Sequence, residues 1–146
     1  MGVNYAGLHY PDPIDHLVSI HSDRIGLMGL LRQAQRPQGP IRVHAPEQAL
    51  GVTDVHPWGH GLGGTSSLFA ALLGLELGYD KVVLAGVPLD GSNYFYGPPG
   101  EKSISGSDTV KNAWAAHLPK LNHRVVSCSG WTRALLGGPN GPTPIR

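Results

Sequence analysis

Cysteine and charged residues are both scarce in this sequence. Its one cysteine, Cys128, excludes an internal disulfide and a thiolate metal site, and is compatible with a reducing compartment. Charged residues make up 14% of the chain, and 11 basic and 10 acidic side chains leave a formal net charge of +1. Because no run of Lys or Arg is present to neutralise phosphates, we expect no binding to a nucleic-acid polymer or to an anionic membrane surface.

Long apolar runs are absent as well. The longest, at residues 68–77, is too short to span a bilayer and contains Glu76. The N-terminus has neither the basic start nor the long apolar core of a signal peptide. We therefore expect a cytoplasmic protein with no membrane partner.

Glycine, proline and apolar blocks are what the sequence does have. It contains 21 Gly and 13 Pro, yet 40% of its residues are hydrophobic. This composition predicts a folded chain that is rich in loops. With 146 residues it has the length of one domain, and we expect residues 1–146 to form it, with a flexible Gly/Pro tail at 138–146.

The apolar blocks alternate between patterns typical of strands and of helices. We expect strands at 14–21, 41–45, 81–87 and 124–128, and helices at about 22–36, 66–77, 108–118 and 131–136. The block at 81–87 is typical of a strand buried on both faces of a parallel sheet. The alternation predicts an α/β fold with a single doubly wound, mostly parallel, Rossmann-like sheet. The loops that follow the strands, with His21, Asp90 and Trp131, would then lie at one edge.

A Gly-rich segment leads into the most apolar predicted helix. Gly63, Gly64, Thr65 and Ser66 predict an anion site there, because the first N–H groups of a helix have no partner within it. Alternatively, Ser66 is only the N-cap and the glycines are loop residues. Both interpretations stay open, since neither the Walker spacing nor the Rossmann spacing is present.

Two loops after predicted strands contain further candidate ligand-binding residues. Asp90, with Tyr94 and Tyr96 close behind it, suits a ligand with hydroxyl groups and a ring, although an Asp-Gly turn explains it equally well. Ser129, Trp131 and Arg133 follow the strand at 124–128. There the indole can stack on a base and the guanidinium can pair with a phosphate, unless Trp131 packs in the core and Arg133 is a surface charge.

The eight histidines do not predict a metal site. His56 and His60 have a spacing used by metal ligands, but they lie in a Pro- and Gly-containing loop instead of on one face of a helix. We therefore expect no metal and no cofactor. His21 is a candidate general base or phosphate donor, whereas the histidines at 9, 16, 44, 117 and 123 are interpreted as structural or surface residues.

Three segments resemble known proteins: IDHLVSIHSDRI (14–25), GGTSSLFAALLGLELGYDKVVLAGVPLDGSNYF (63–95) and VVSCSGWTRALLG (125–137). Together they resemble a family of small α/β proteins from phages and prophages. More distantly, they are similar to the Rossmann-like fold of archaeal-type 6-hydroxymethylpterin diphosphokinase and of bacterial CMP-sialic-acid-dependent sialyltransferases. The resemblance covers most of residues 4–137.

The resemblance implies a nucleotide site with parts missing. It implies that residues 63–66 hold the nucleotide, that Tyr94 and Tyr96 contact its phosphate, and that Asn4 touches it. The distant relatives begin with a strand and a phosphate loop like Gly-Asn-Gly-Pro-Ser, so the resemblance implies a fold truncated at its N-terminus. No residue here matches the catalytic histidine of the sialyltransferases, which favours binding without turnover.

The leading hypothesis is a phage-type protein that captures a nucleotide-derived small molecule, such as a host immune signalling nucleotide, in the host cytosol. Trp58 or Trp131 would stack on the base. A sheet short of one strand exposes an apolar edge, so we also expect a homo-oligomer. One alternative is an enzyme, either a nucleotide-sugar glycosyltransferase or a nucleotide phosphotransferase or hydrolase, with His21 or His60 as base and Asp90 orienting a hydroxyl. Another is a virion or assembly protein.

Overall fold

The computed structural model of this chain describes residues 1–58, 65–91, 107–121 and 123–140. The chain divides into two compact units, Met1–His60 and Gly61–Arg146, and each is described by itself. We call them unit 1 and unit 2. The single domain expected from the length of the chain stays a prediction, and the expected tail lies outside the described residues from residue 141 onward.

Unit 1 contains a parallel sheet of four strands. Its elements are β1 (Gly2–Val3), α1 (Asn4–His9), β2 (His16–Val18), α2 (Ser22–Gln35), β3 (Arg42–Ala45) and β4 (Asp54–Val55). The strands follow one another in the order β1-β2-β3-β4, and all three pairings are parallel. The core contains Leu17 and Val43 from the sheet, together with Ile25 and Met28 from α2.

The buried Arg32 joins the two helices of unit 1. It lies in the last turn of α2 and has no solvent exposure. Its guanidinium donates to the carbonyl oxygens of Gly7 (2.7 Å) and Tyr10 (2.8 Å) at the end of α1, and to that of Asp12 (2.6 Å) in the following loop. The carbonyl oxygens of Gly7 and Tyr10 would otherwise lack an intrahelical partner, since the last carbonyls of a helix have none.

The connection from β3 to β4 lies directly against α2 at a glycine. A Cβ atom on Gly26 would lie 1.6 Å from the carbonyl oxygen of Leu50. Residues 46–53 form this connection without a helix, which is short for a parallel crossover. The close approach of two backbones therefore depends on the missing side chain of Gly26.

We expect Gly26→Ala to lower the free energy of unfolding by about 1–3 kcal/mol, measured by urea denaturation. At an exposed position inside a helix, Gly→Ala raises the free energy of unfolding by about 1 kcal/mol, because alanine has the higher helix propensity. The loss of stability expected here is therefore the opposite of what helix propensity alone predicts. The control is Gly39→Ala, because a Cβ on Gly39 would meet nothing within 4 Å. Equal effects of the two substitutions would contradict the close approach.

The described residues of unit 2 form two parallel strands and three helices. In order these are α3 (Ser66–Glu76), β5 (Val82–Leu84), α4 (Asp108–Leu121), β6 (Val125–Ser127) and α5 (Gly130–Leu136). Val82 of β5 pairs with Val125 of β6, and Leu84 pairs with Ser127. The fully buried side chains of this unit include Leu68 and Trp114.

The expected α/β class with parallel strands is confirmed. Every strand and helix expected from the apolar blocks is present, with shifted ends, whereas β1, α1 and β4 were not predicted. One expectation about burial is wrong, because Val83 in β5 is 50% exposed. In the described part of unit 2, β5 pairs with β6 alone, so it is an edge strand. One doubly wound sheet through the whole chain stays a prediction.

Among the described residues, no helix combines the length and the hydropathy that a membrane span requires. The longest described helices, α2 and α4, have 14 residues each, which is well below the roughly 20 residues needed to cross a bilayer. The cytoplasmic location stays a prediction.

Candidate functional site

In unit 2 the first turn of α5 lies against the loop that follows β5. The N–H of Trp131 donates to the carbonyl oxygen of Pro88 at 2.7 Å. Gly130, with φ +61°, allows this approach, because a Cβ there would lie 2.4 Å from Pro88. The segments after β5 and β6 therefore meet at the carboxyl ends of the two strands, as expected for a parallel pair.

A buried hydroxyl pair fixes this junction. Thr132 has no solvent exposure, and its hydroxyl donates to the carbonyl oxygen of Val87. Its Oγ1 also lies 2.8 Å from Oγ of Ser127, the last residue of β6. The half-buried Ser129 precedes α5, and its carbonyl oxygen accepts from the N–H of Arg133 at 3.2 Å. The junction is held by hydrogen bonds on both sides, so side chains on the first turn of α5 have a defined position.

Trp131 and Arg133, on the first turn of α5, are both accessible to solvent. Trp131 is half-buried and Arg133 is exposed, so Trp131 is not part of the interior. The Nζ atom of Lys111, from α4, lies 5.8 Å from the centroid of the Trp131 ring, within the range of a cation–π interaction. Asp90 is also exposed, in the loop after β5. Sequence reasoning missed Lys111, which lies 20 residues before Trp131 on another helix.

The first backbone N–H groups of α5 are already used within this junction. The N–H groups of Trp131 and Thr132 both donate to the carbonyl oxygen of Pro88, at 2.7 and 3.4 Å. An anion at the start of α5 would therefore have to rely on side chains such as Arg133.

The start of α3 is capped by Thr65. Its Oγ1 accepts from the N–H of Leu68 (3.3 Å) and from Nε1–H of Trp114 (3.3 Å), and it lies 2.8 Å from Oγ of Ser67. Ser66, the residue interpreted as a cap, is instead the first helical residue and is buried. The anion site predicted at residues 63–66 stays a prediction.

The other residues predicted for the ligand site lie in unit 1 or outside the described residues. Asn4 begins α1 with φ +49°, and its Oδ1 atom is buried with no hydrogen-bond partner in the described part of the chain. His21 is exposed at the start of α2, and Trp58 is half-buried. Five residues lie outside the described ranges: His60, Gly63, Gly64, Tyr94 and Tyr96.

Unit 1 contains a row of imidazoles that sequence reasoning did not recognise. Nδ1 of His16 lies 2.8 Å from Nε2 of His44, and Nδ1 of His44 lies 3.1 Å from Nε2 of His56. In the sheet, His44 pairs with Asp54, and His56 lies two residues after Asp54. The side chains of His44, Asp54 and His56 therefore lie on the same face of the sheet. We call His16, His44, Asp54 and His56 the histidine row.

The histidine row includes a buried neutral imidazole and an ionised carboxylate. Burial is the main cause that lowers the pKa of His44 to about 4, and the neighbouring His16 and His56 lower it further while Asp54 raises it. Burial also lowers the pKa of His16. Hydrogen bonding to the Arg42 guanidinium is the main cause that lowers the pKa of Asp54 to about 2. At neutral pH the rings of His44 and His16 are therefore uncharged, and they lie in the same row as the ionised carboxylate of Asp54.

One signal in the sequence points to this row. Arg42-Val43-His44 and Asp54-Val55-His56 are two copies of a charged–valine–histidine tripeptide. On a strand, the first and third residues of each copy face the same side. The pairing between the copies also requires β4, which has only two residues and no apolar pattern of its own.

Comparison with protein-family models, curated proteins and solved structures found no significant match to this chain.

Proposed function

We propose that this protein binds a nucleotide-derived small molecule at the carboxyl ends of β5 and β6, and that it captures this molecule without turnover. The observation that supports the proposal is the cation–π pair of Trp131 and Lys111, with the exposed Arg133 two residues further along α5. A partly exposed indole and two cationic side chains are thus supplied by α4 and α5, and the first turn of α5 lies at the carboxyl ends of β5 and β6.

Each of these side chains suits one part of such a ligand. The indole of Trp131 offers a flat surface on which a base can stack. Arg133 has a planar guanidinium that suits phosphate oxygens, and Lys111 adds a second positive charge. Asp90 can accept a hydrogen bond from a ribose hydroxyl. A ligand with a ring, hydroxyl groups and phosphates would use all of them.

The rigid junction beneath these side chains favours affinity. Thr132 is fully buried and connects Val87 with Ser127, so the first turn of α5 is positioned before a ligand arrives. A site that is ordered in advance loses less conformational entropy on binding.

The wider biological part of the proposal depends on the resemblance to phage and prophage proteins. A phage protein that holds a host signalling nucleotide needs affinity and no catalysis. The Rossmann-like sheet and the homo-oligomer belong to this proposal as well. Exposed apolar side chains are present on α2 at Leu27, Leu30 and Leu31, which would suit contact with another subunit.

We expect Trp131→Ala to weaken nucleotide binding at least tenfold, because stacking on an aromatic ring contributes about 1–3 kcal/mol per base. The measurement is isothermal titration calorimetry with mono-, di- and cyclic dinucleotides. Trp131→Phe should retain most of the affinity, and Arg133→Ala should weaken binding of phosphorylated ligands more than of nucleosides.

The matched control for Arg133 is Arg24→Ala, since Arg24 is an exposed cation on α2 that pairs only with Asp23 among the described ion pairs. It should bind as the unmodified protein does. If no nucleotide binds, or if Trp131→Ala binds equally well, the proposed site is wrong. If the bound nucleotide is converted over many turnovers, the protein is the enzyme of the alternative hypothesis.

A further inference from the structure

We propose that His44, Asp54 and His56 form a binding site for a divalent first-row transition metal ion such as Zn²⁺. The site lies in unit 1 and is independent of the nucleotide-binding proposal, which concerns residues of unit 2. It also revises the sequence-based expectation that the histidines bind no metal.

The spacing of the donor atoms fits one metal ion. One ligand atom from each of the three residues lies within 4.8 Å of the other two. Nδ1 of His44 and Nε2 of His56 are 3.1 Å apart. Two imidazole nitrogens bound to one tetrahedral Zn²⁺ at 2.0–2.1 Å are separated by about 3.3 Å. Small movements of the two rings would therefore bring both nitrogens to bonding distance.

His16 is placed to support His44 as a ligand. A metal on Nδ1 of His44 requires the proton of that ring to be on Nε2. Nε2 lies 2.8 Å from Nδ1 of His16, which can accept this proton in a hydrogen bond. Histidines that bind metals commonly donate their second ring N–H to such a partner, which fixes the tautomer and the ring orientation. His16 is thus a positioning residue.

Asp54 provides the third ligand through its Oδ1 atom. Arg42 donates to both carboxylate oxygens, and the Thr53 hydroxyl donates to Oδ2 at 2.7 Å. Each carboxylate oxygen accepts about two hydrogen bonds. Oδ2 is therefore saturated, whereas Oδ1 retains a position for a metal. Arg42 also keeps the carboxylate ionised and fixes its orientation.

The chemistry of these donors selects the class of metal. Two imidazoles and one carboxylate suit Zn²⁺ and its first-row neighbours, whereas Mg²⁺ and Ca²⁺ prefer oxygen ligands alone. Ring nitrogens bind a metal only when unprotonated, and the buried His44 meets this condition at neutral pH. Three protein ligands leave a fourth tetrahedral position for water or a substrate, which is the pattern of catalytic zinc sites.

The experiment is calorimetric titration of the chelator-treated full chain with Zn²⁺, accompanied by the visible absorption spectrum with Co²⁺. We expect one Zn²⁺ per chain, and an intense Co²⁺ spectrum of the tetrahedral type. His56→Gln should lower the affinity at least tenfold, and His16→Gln by about 10–100-fold. His9→Gln, at an exposed histidine of α1, is the matched control and should bind as the unmodified protein does.

Several results would overturn the proposal. It fails if Zn²⁺ binds no more tightly than Mg²⁺, or if His56→Gln retains the full affinity, because the row would then be only a chain of hydrogen-bonded imidazoles. His44→Gln removes a fully buried ring and is expected to lower stability. The half-buried His56 therefore provides the decisive variant. Loss of binding in both His56→Gln and His9→Gln would also contradict the assignment.

Discussion

Replacing Arg32 with methionine should lower the free energy of unfolding by about 3–5 kcal/mol, because several hydrogen bonds from a charged donor are lost and each contributes about 1.5–3 kcal/mol. Methionine fills a similar volume but donates no hydrogen bond. The carbonyl oxygens of Gly7, Tyr10 and Asp12 would lose their donor, and the loss costs most at Gly7, which is buried, whereas Tyr10 and Asp12 are exposed residues. Urea denaturation followed by circular dichroism measures the change.

One further variant separates the hydrogen bonds of Arg32 from its charge, and a second serves as a control at an exposed arginine. Arg32→Lys retains the charge but lacks the planar fork that reaches several carbonyls at once, so we expect an intermediate loss. Arg24→Ala removes an exposed arginine from the same helix and should change the free energy of unfolding by no more than about 0.5 kcal/mol. A loss in Arg32→Met as small as that in Arg24→Ala would contradict the described role.

Lowering the pH from 7 to 4 should cost about 3 kcal/mol of stability through His44 alone. The pKa of this imidazole is 6.5 when unperturbed and about 4 in the folded protein. Between these values the unfolded chain binds a proton that the folded chain does not, so the free energy of unfolding falls as the pH falls. The contribution of the neutral His44 ring to the free energy of unfolding is fully present above pH 6.5 and is lost by about pH 4.

His16 and Asp54, which lie beside His44, also contribute to the pH dependence of stability. His16 acts in the same direction, because its pKa is also lowered. Asp54 acts in a lower range, since its stabilising ionisation is lost only between its usual 3.8 and about 2. Urea denaturation between pH 4 and 8, with a chelator present, measures the slope. His44→Gln should flatten it, and NMR titration should show a neutral His44 ring at pH 5. A His44 ring that is protonated at pH 6 would contradict the prediction.

The sequence predicts best those elements whose stability comes from their own apolar pattern. The leucine-rich helix expected at 66–77 is α3, and it ends before Gly78, which has φ +90°. By contrast, α1 has six residues and receives hydrogen bonds from Arg32, more than twenty positions away. No local pattern predicts such a contact.

Only part of each candidate site could be predicted from the sequence. Trp131 and Arg133 follow a recognisable strand, so their place at its carboxyl end could be inferred. Lys111 could not be inferred, because its position against the indole depends on how α4 packs. The histidine row was missed because His56 was compared with the nearby His60, whereas the structure brings it to His44 through the pairing of β3 and β4.

The most direct measurement of the proposed function is mass spectrometry of the small molecule released when the nucleotide-incubated protein is denatured. The account predicts one phosphate-containing nucleotide per binding site, with a mass identical to that of the molecule supplied, and its loss in Trp131→Ala. Recovery of no nucleotide, or of one with a changed mass, would contradict capture without turnover at the carboxyl ends of β5 and β6.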